Sequence, residues 1–99
     1  MKKYVKVIIE DENGKSLVHH YISKDTWDVP AGQIEDGEIP QVAAARELLE
    51  RTGFVIDTSN LKASGEDGDF YIFKGERKDL TKVAEPGEKG GYSTSIRWS

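Results

Sequence analysis

Two hydrophobic periods divide the chain. Tyr4, Val5, Val7, Ile8 and Ile9 are interleaved with charge and rich in β-branching, which predicts a first strand over Tyr4 to Ile9. Glu12-Asn13-Gly14-Lys15 reads as a hairpin turn, because Asn-Gly accepts positive φ at low cost. The return strand is Ser16 to Ile22, and strand alternation sets His19 and His20 on opposite faces. A polar loop, Ser23 to Thr26, precedes a short strand over Trp27 to Pro30. From Pro40 to Thr52 the period changes: Val42, Ala45, Leu48, Leu49 and Thr52 recur at helical spacing and would face a core. Pro40 suits the first helical turn, where its missing N–H would be unpaired anyway. Gly53 can take a left-handed cap without a Cβ penalty.

Beyond the helix the signals shorten. Val55 and Ile56 suggest a brief strand, soon broken by Asp57-Thr58-Ser59-Asn60. Gly65-Glu66-Asp67-Gly68-Asp69 reads as a turn, and Phe70-Tyr71-Ile72-Phe73 as a central aromatic strand. Gly75 to Thr81 is polar, a loop or short helical turn, and Lys82 to Gly91, with Pro86 and three glycines, reads as a mobile loop. Tyr92 to Trp98 is the final strand.

Composition narrows the function classes. Ninety-nine residues, 36% apolar and 32% charged, make a single globular domain over 1–99 with a modest core. A net charge of −4 argues against a grip on a nucleic-acid polymer. No run approaches the ~20 apolar residues of a membrane span. Met1-Lys2-Lys3-Tyr4 leads straight into the first strand, with no secretory signal visible. The absence of cysteine excludes a disulfide framework and Cys-ligated metal, and fits a cytoplasmic protein.

Candidate chemistry sits on the polar face of the helix, where Arg46, Glu47, Glu50 and Arg51 cluster. Glu47 and Glu50 are three residues apart, so their Cβ atoms lie roughly 5–6 Å from each other. Two carboxylates at that separation can share a hard divalent cation, although a charged helix face is more commonly solvated surface. Adjacent strand histidines cannot both point at one metal, so His19 and His20 read as sheet packing or surface. Trp27 reads as packing against the sheet, with stacking on a nucleobase as the alternative.

The stretch Gly32 to Phe54, GQIEDGEIPQVAAARELLERTGF, resembles the Nudix box. That pattern is Gly, five residues, Glu, seven residues, Arg-Glu, an aliphatic, any residue, Glu-Glu, any residue, Gly, and an aliphatic or aromatic. Gly32, Glu38, Arg46, Glu47, Leu48, Glu50, Gly53 and Phe54 fall in register, and Arg51 stands where the second Glu of the Glu-Glu pair belongs. The lead-in Trp27-Asp28-Val29-Pro30-Ala31-Gly32 looks like the Pro-Ala-Gly turn of Nudix proteins, notably nucleotide-sugar and ADP-ribose hydrolases.

The resemblance implies an α/β (α+β) fold, a Nudix-like mixed β-sheet with the Nudix loop and helix. The family's usual C-terminal helix has no counterpart before Ser99, so an apolar sheet face is expected to be covered by a second copy in a homo-oligomer, a swapped element or another partner. It also implies Mg²⁺-dependent hydrolysis of a diphosphate linkage in a nucleoside diphosphate derivative, either ADP-ribose-like or a nucleoside triphosphate, with Mn²⁺ as a substitute cation. Glu50 and Glu47 are the metal ligands, with Glu47 also a candidate base, and a backbone carbonyl near Ala31 or Gly32 supplies a further oxygen. Glu38 and Arg46 form a structural ion pair locking loop to helix, and Gly32 and Gly37 let the loop backbone approach and turn. Glu85 and Glu88 are candidates for an additional acid from a later loop.

Arg51 leaves three alternatives. It extends into solvent, pairs with Glu47 in competition with metal, or grips substrate phosphate. Two functions therefore compete: a diphosphate hydrolase of small nucleotide substrates, and a catalytically impaired Nudix-like module that binds a nucleotide or a protein partner.

Overall fold

The computed structural model describes residues 3–83 and 95–99. Its order is β1 (Tyr4–Glu10), β2 (Leu17–Tyr21), β3 (Thr26–Asp28), β4 (Ala31–Gln33), α1 (Pro40–Thr52), β5 (Phe54–Val55), β6 (Lys62–Asp67), β7 (Phe70–Glu76), β8 (Thr81–Lys82) and β9 (Ile96–Trp98). Short 3-10 turns over Thr58–Asn60 and Arg77–Asp79 complete it. The largest sheet has the order β4-β1-β7-β6 and is mixed: β1 runs parallel to β7 and antiparallel to β4. A second sheet, β3-β2-β9, and a two-stranded ribbon of β5 with β8 flank it.

The alternation in β1 drives the core. Val5, Val7 and Ile9 are fully buried on one face, and the parallel register sets Val7 beside the buried Phe73 of β7. Leu17, Ala43, Ala44, Leu48, Ile56 and Leu61 close the same cluster. On the other face of β1 and β7, Tyr4, Lys6, Ile8, Phe70 and Ile72 are half-buried. There the Lys6 ammonium lies 4.6 Å from the Phe70 ring centre and 2.9 Å from Asp67.

The helix has the limits its end signals predict, Pro40 to Thr52, with Gly53 at φ 79° donating its N–H to the Leu49 carbonyl. Its inward face differs from the expected one. Ala43, Ala44, Glu47, Leu48 and Thr52 are buried, whereas Val42 is 44% exposed and Ala45 and Leu49 are only half-buried. Apolar periodicity weights Val42 and Leu49. The small Ala43 and Ala44 instead let the helix lie close on the sheet, and that rotation carries Glu47 inward with them.

The stretch over 65–69 also departs from the expected turn. Lys62–Asp67 is an exposed edge strand, with a register shift against β7 between Ala63 and Glu66 and Gly65 at φ 118°. The chain reverses only at Gly68-Asp69. A glycine inside a strand pattern marks such a bulge as readily as a turn. Ala31–Gln33, which follows Pro30 in the expected Pro-Ala-Gly turn, is instead the edge strand β4. Among the described residues α1 is the sole α-helix, and no helix is long and apolar enough to cross a membrane.

Candidate functional site

The site is assembled where β4, the loop after it and α1 meet. Antiparallel pairing with β1 fixes β4, placing Val5 opposite Gly32 and Lys6 opposite Ala31. The loop leaves β4 through Ile34, whose N–H donates to the Lys3 carbonyl at 2.8 Å. It turns at Gly37, φ 77°, into the helix. Here glycine is required by conformation. At Gly32 it is required by space: a Cβ on that residue would overlap the Glu47 carboxylate. The helix therefore seats Glu47 directly on the backbone of β4, and only 4% of the residue is exposed.

Arg46 ties the pieces together. Its Nε donates to Glu38 Oε2 at 2.8 Å and Nη2 to Glu38 Oε1 at 2.9 Å, a two-pronged grip that matches guanidinium to carboxylate. Nη2 also donates to the Gln33 carbonyl at 2.8 Å, and Glu35 lies 3.2 Å from Nε. Nη1 reaches both Glu47 Oε2, at 2.9 Å, and Glu50 Oε2, at 3.2 Å. The bond to Arg46 holds the Glu38 carboxyl below the usual range, and the same pairing raises Arg46 above its ordinary value. One guanidinium thus joins the end of β4, the loop and the next turn of the helix.

The two carboxylates of interest converge. Glu47 and Glu50 meet on one nitrogen, so their oxygens are no farther apart than those two bond lengths together. Glu50 is about half exposed, whereas Glu47 is nearly enclosed. Arg51, at the next position, turns back along the helix and places Nε 3.3 Å from Glu47 Oε1. Its guanidinium lies 5.9 Å from the Tyr21 ring centre.

Behind Arg51 stands the second sheet. Tyr21 packs on His19 with ring centres 4.1 Å apart. His19 is fully buried, and burial first, then the charge of Arg51, lower its pKa to about 4. Burial likewise raises the Tyr21 hydroxyl, against the opposing pull of Arg51.

The sequence-predicted residues fall into three groups. Gly32, Glu38, Arg46, Glu47, Glu50 and Arg51 are brought together, with Ala31 adjacent in β4. Trp27 is not among them. It pairs with His20, its ring 5.2 Å from the His20 ring and 4.1 Å from the Arg97 guanidinium, on the face of the β3-β2-β9 sheet opposite His19. Glu85 and Glu88 lie outside the described residues. Sequence reading missed Glu35, the Gln33 carbonyl and Tyr21 as neighbours of the charged helix face. Glu35 had a signal, a carboxylate in the same loop as Glu38. Tyr21 had none, since only the packing of β2 beside the helix end brings it to Arg51.

A divalent cation can be tested against these donors. Among the described residues no group of three or more His, Cys, Asp or Glu side chains forms a ready metal cage. Mg²⁺ commonly needs less, binding through one or two carboxylates with waters and substrate phosphate oxygens. Glu47, against the side-chain-free Gly32, and the accessible Glu50 fit a cation shared with substrate. Arg51 opposes it from one side.

The family model for the NUDIX domain matches residues 2–94. The RNA pyrophosphohydrolase of Dinoroseobacter shibae is 34% identical over 68 residues, covering 67% of this chain and 42% of that protein. The RNA pyrophosphohydrolase of Hydrogenovibrio crunogenus is 30% identical over 82 residues, covering 83% of this chain and 48% of that protein. This chain therefore spans under half the length of either relative. A structure from a study of MutT of Aliivibrio salmonicida and Vibrio cholerae superposes with a TM-score of 0.66 over 99% of this chain and 78% of its own, at 19% identity.

Proposed function

The chain belongs to the NUDIX domain family, and from that membership we propose that it hydrolyses a diphosphate linkage in a nucleoside diphosphate derivative. One observation carries the reading: Glu47 and Glu50 converge on a single Arg46 nitrogen, with the Glu47 carboxylate seated against the side-chain-free Gly32. Two relatives named as RNA pyrophosphohydrolases support the phosphoanhydride as the bond cut. ADP-ribose-like compounds and nucleoside triphosphates are the substrate classes.

Mg²⁺, or Mn²⁺ in its place, is the cofactor this reading requires, with Glu50, Glu47 and the backbone at Ala31 or Gly32 holding it. When bound, such an ion polarises a phosphoryl oxygen and lowers the pKa of a water. The chain supplies the rest. Arg46 fixes the directions of both carboxylates through Nη1, and the buried Glu47 cannot swing away. The half-exposed Glu50 is free to change partner, exchanging its longer Arg46 contacts of 3.2–3.3 Å for another cation. Glu38 holds Arg46 in place, so that its guanidinium does not follow Glu50 outward.

A second reading has its own support. Both carboxylates already carry cationic partners, and Arg51 bonds the oxygen of Glu47 that Arg46 leaves open. A domain so neutralised would bind a nucleotide or protein without turning substrate over. Release of phosphate or nucleotide products from ADP-ribose, nucleoside triphosphates and dinucleotides, with Mg²⁺ or Mn²⁺, separates the two. Turnover that disappears in Glu50→Gln establishes the hydrolase; binding without turnover across the panel supports the non-catalytic module.

A further inference from the structure

We propose that Arg51 and Lys24, set about the ring of Tyr21, form an anion subsite. It takes a phosphate of the substrate lying beyond the diphosphate under attack, and Tyr21 is the residue that positions Arg51. This rests on the hydrolase reading above and deepens it. The Arg51 guanidinium and the Lys24 ammonium each lie 5.9 Å from the centre of the Tyr21 ring. Local structure explains both placements. The Lys24 N–H donates to the Tyr21 carbonyl at 3.2 Å, and this turn, with Asp25 at φ 51°, folds Lys24 back over the ring. Arg51 is drawn to the same ring from the helix end by its bond to Glu47, one turn earlier.

The ring itself is anchored. Tyr21 is half-buried and stacks on His19, which is fully enclosed. Arg51 spends only Nε on Glu47; among the described residues its two Nη groups make no hydrogen bond, and about a third of its side chain is exposed. Lys24 makes no ion pair among the described residues and is exposed. Asp28 and Glu47 are the acids that face Tyr21, and Glu47 already carries Arg46 on its other oxygen. What remains is a guanidinium fork and an ammonium, each with unused donors and each 5.9 Å from the centre of one ring. Several oxygens on one anion satisfy such donors with charge on both partners, which the hydroxyls of a neutral sugar lack. The subsite therefore favours substrates with a polyphosphate chain over those with a sugar in the distal position.

Calorimetric titration of inorganic tripolyphosphate into the metal-free protein, with chelator present, tests this without turnover. Wild type is expected to bind saturably. Arg51→Gln should weaken binding about tenfold or more, the loss of charge-assisted bonds, and Arg51→Lys should lose less. Tyr21→Leu should weaken it about threefold while Tyr21→Phe, which keeps the ring face, restores it. Lys24→Gln, in an exposed turn, should weaken it and carries the test if Arg51→Gln fails to unfold cooperatively. Absence of saturable binding to wild type, or binding within twofold of wild type in Arg51→Gln (or in Lys24→Gln, where Arg51→Gln fails to unfold cooperatively), overturns the proposal. Arg51-dependent binding in a protein that turns over no diphosphate keeps the subsite and removes the hydrolase reading. Turnover together with Arg51-independent binding does the reverse.

Discussion

Gly32→Ala is the smallest change that strikes the site at its seam. The added methyl would occupy the space of the Glu47 carboxylate, which is 5% exposed and cannot retreat into solvent. Something must move. If the helix lifts, Ala43, Ala44 and Leu48 lose their close packing on the sheet. If Glu47 alone swings, it leaves Arg46 Nη1 at 2.9 Å and Arg51 Nε at 3.3 Å. Overpacking of this kind costs about 1–3 kcal/mol, and each charge-assisted hydrogen bond lost costs about 1.5–3 kcal/mol. Partial relaxation of both brings the expected destabilisation to about 2–4 kcal/mol. For a domain of this length, that lowers the thermal midpoint by about 10–20 °C.

A double-mutant cycle locates the cause. Glu47→Asp shortens the side chain and gives the methyl room, so the pair Gly32→Ala/Glu47→Asp should be more stable than the two single losses predict, by about 1 kcal/mol. Gly37→Ala is the control. Gly37 sits at φ 77° with nothing within 4 Å of its ideal Cβ, so its cost, about 1–2 kcal/mol, is conformational and should add to that of Glu47→Asp without coupling. Chemical denaturation measures all of these. A Gly32→Ala protein within about 0.5 kcal/mol of wild type, or strict additivity with Glu47→Asp, would refute the close seating of Glu47 on β4.

Three further outcomes follow from the same geometry. Arg46→Lys keeps the charge but not the fork, so it cannot hold Glu38 at both oxygens and span Gln33 as well; it should destabilise by about 1–3 kcal/mol in thermal unfolding. Stability should fall on acidification through His19, whose folded pKa of about 4 lies below its unfolded value of 6.5. The unfolded chain then binds more protons, so the contribution is complete above pH 6.5 and is lost as pH falls toward 4, up to about 3 kcal/mol in all; His19→Phe should flatten that part of the stability–pH curve. Arg51→Glu, which removes a cation 3.3 Å from Glu47 and adds a carboxylate, should raise Mg²⁺ affinity in calorimetry, and an unchanged affinity would count against a cation site at Glu47.

The local signals that read correctly in sequence are those whose physics is local. Pro40 and Gly53 mark the helix ends because each acts through its own backbone. Asn13-Gly14 marks the first turn, with Gly14 at φ 78°. The aromatic run at Phe70 proves to be an interior strand, parallel to β1. Strand alternation separates His19 from His20, the first buried against Tyr21 and the second 2.8 Å from Asp25. The rotation of α1 was not legible in this way. Val42 and Leu49 are as apolar as Leu48, and what decides among them is the closeness that two alanines and a side-chain-free glycine on another strand permit.

The same distinction runs through the site. The spacing of Glu38, Arg46, Glu47 and Glu50 lies within one loop and one helix and can be counted along the chain. The nearness of Tyr21 to Arg51 is a product of packing across 30 positions of sequence and leaves no local mark. Arg51 itself was visible only as a departure from a pattern. The structure supplies its neighbours, with Nε turned to Glu47 and the guanidinium 5.9 Å from the Tyr21 ring centre.

Glu47 and Glu50, joined on Arg46 Nη1, should act as one donor pair for a divalent cation. Titration of Mn²⁺, followed by its electron paramagnetic resonance signal, in wild type, Glu50→Gln and Glu47→Gln tests it most directly. Wild type should show one saturable site, lost in Glu50→Gln and strongly weakened in Glu47→Gln, both proteins remaining folded. Mn²⁺ bound equally well by all three proteins would contradict it.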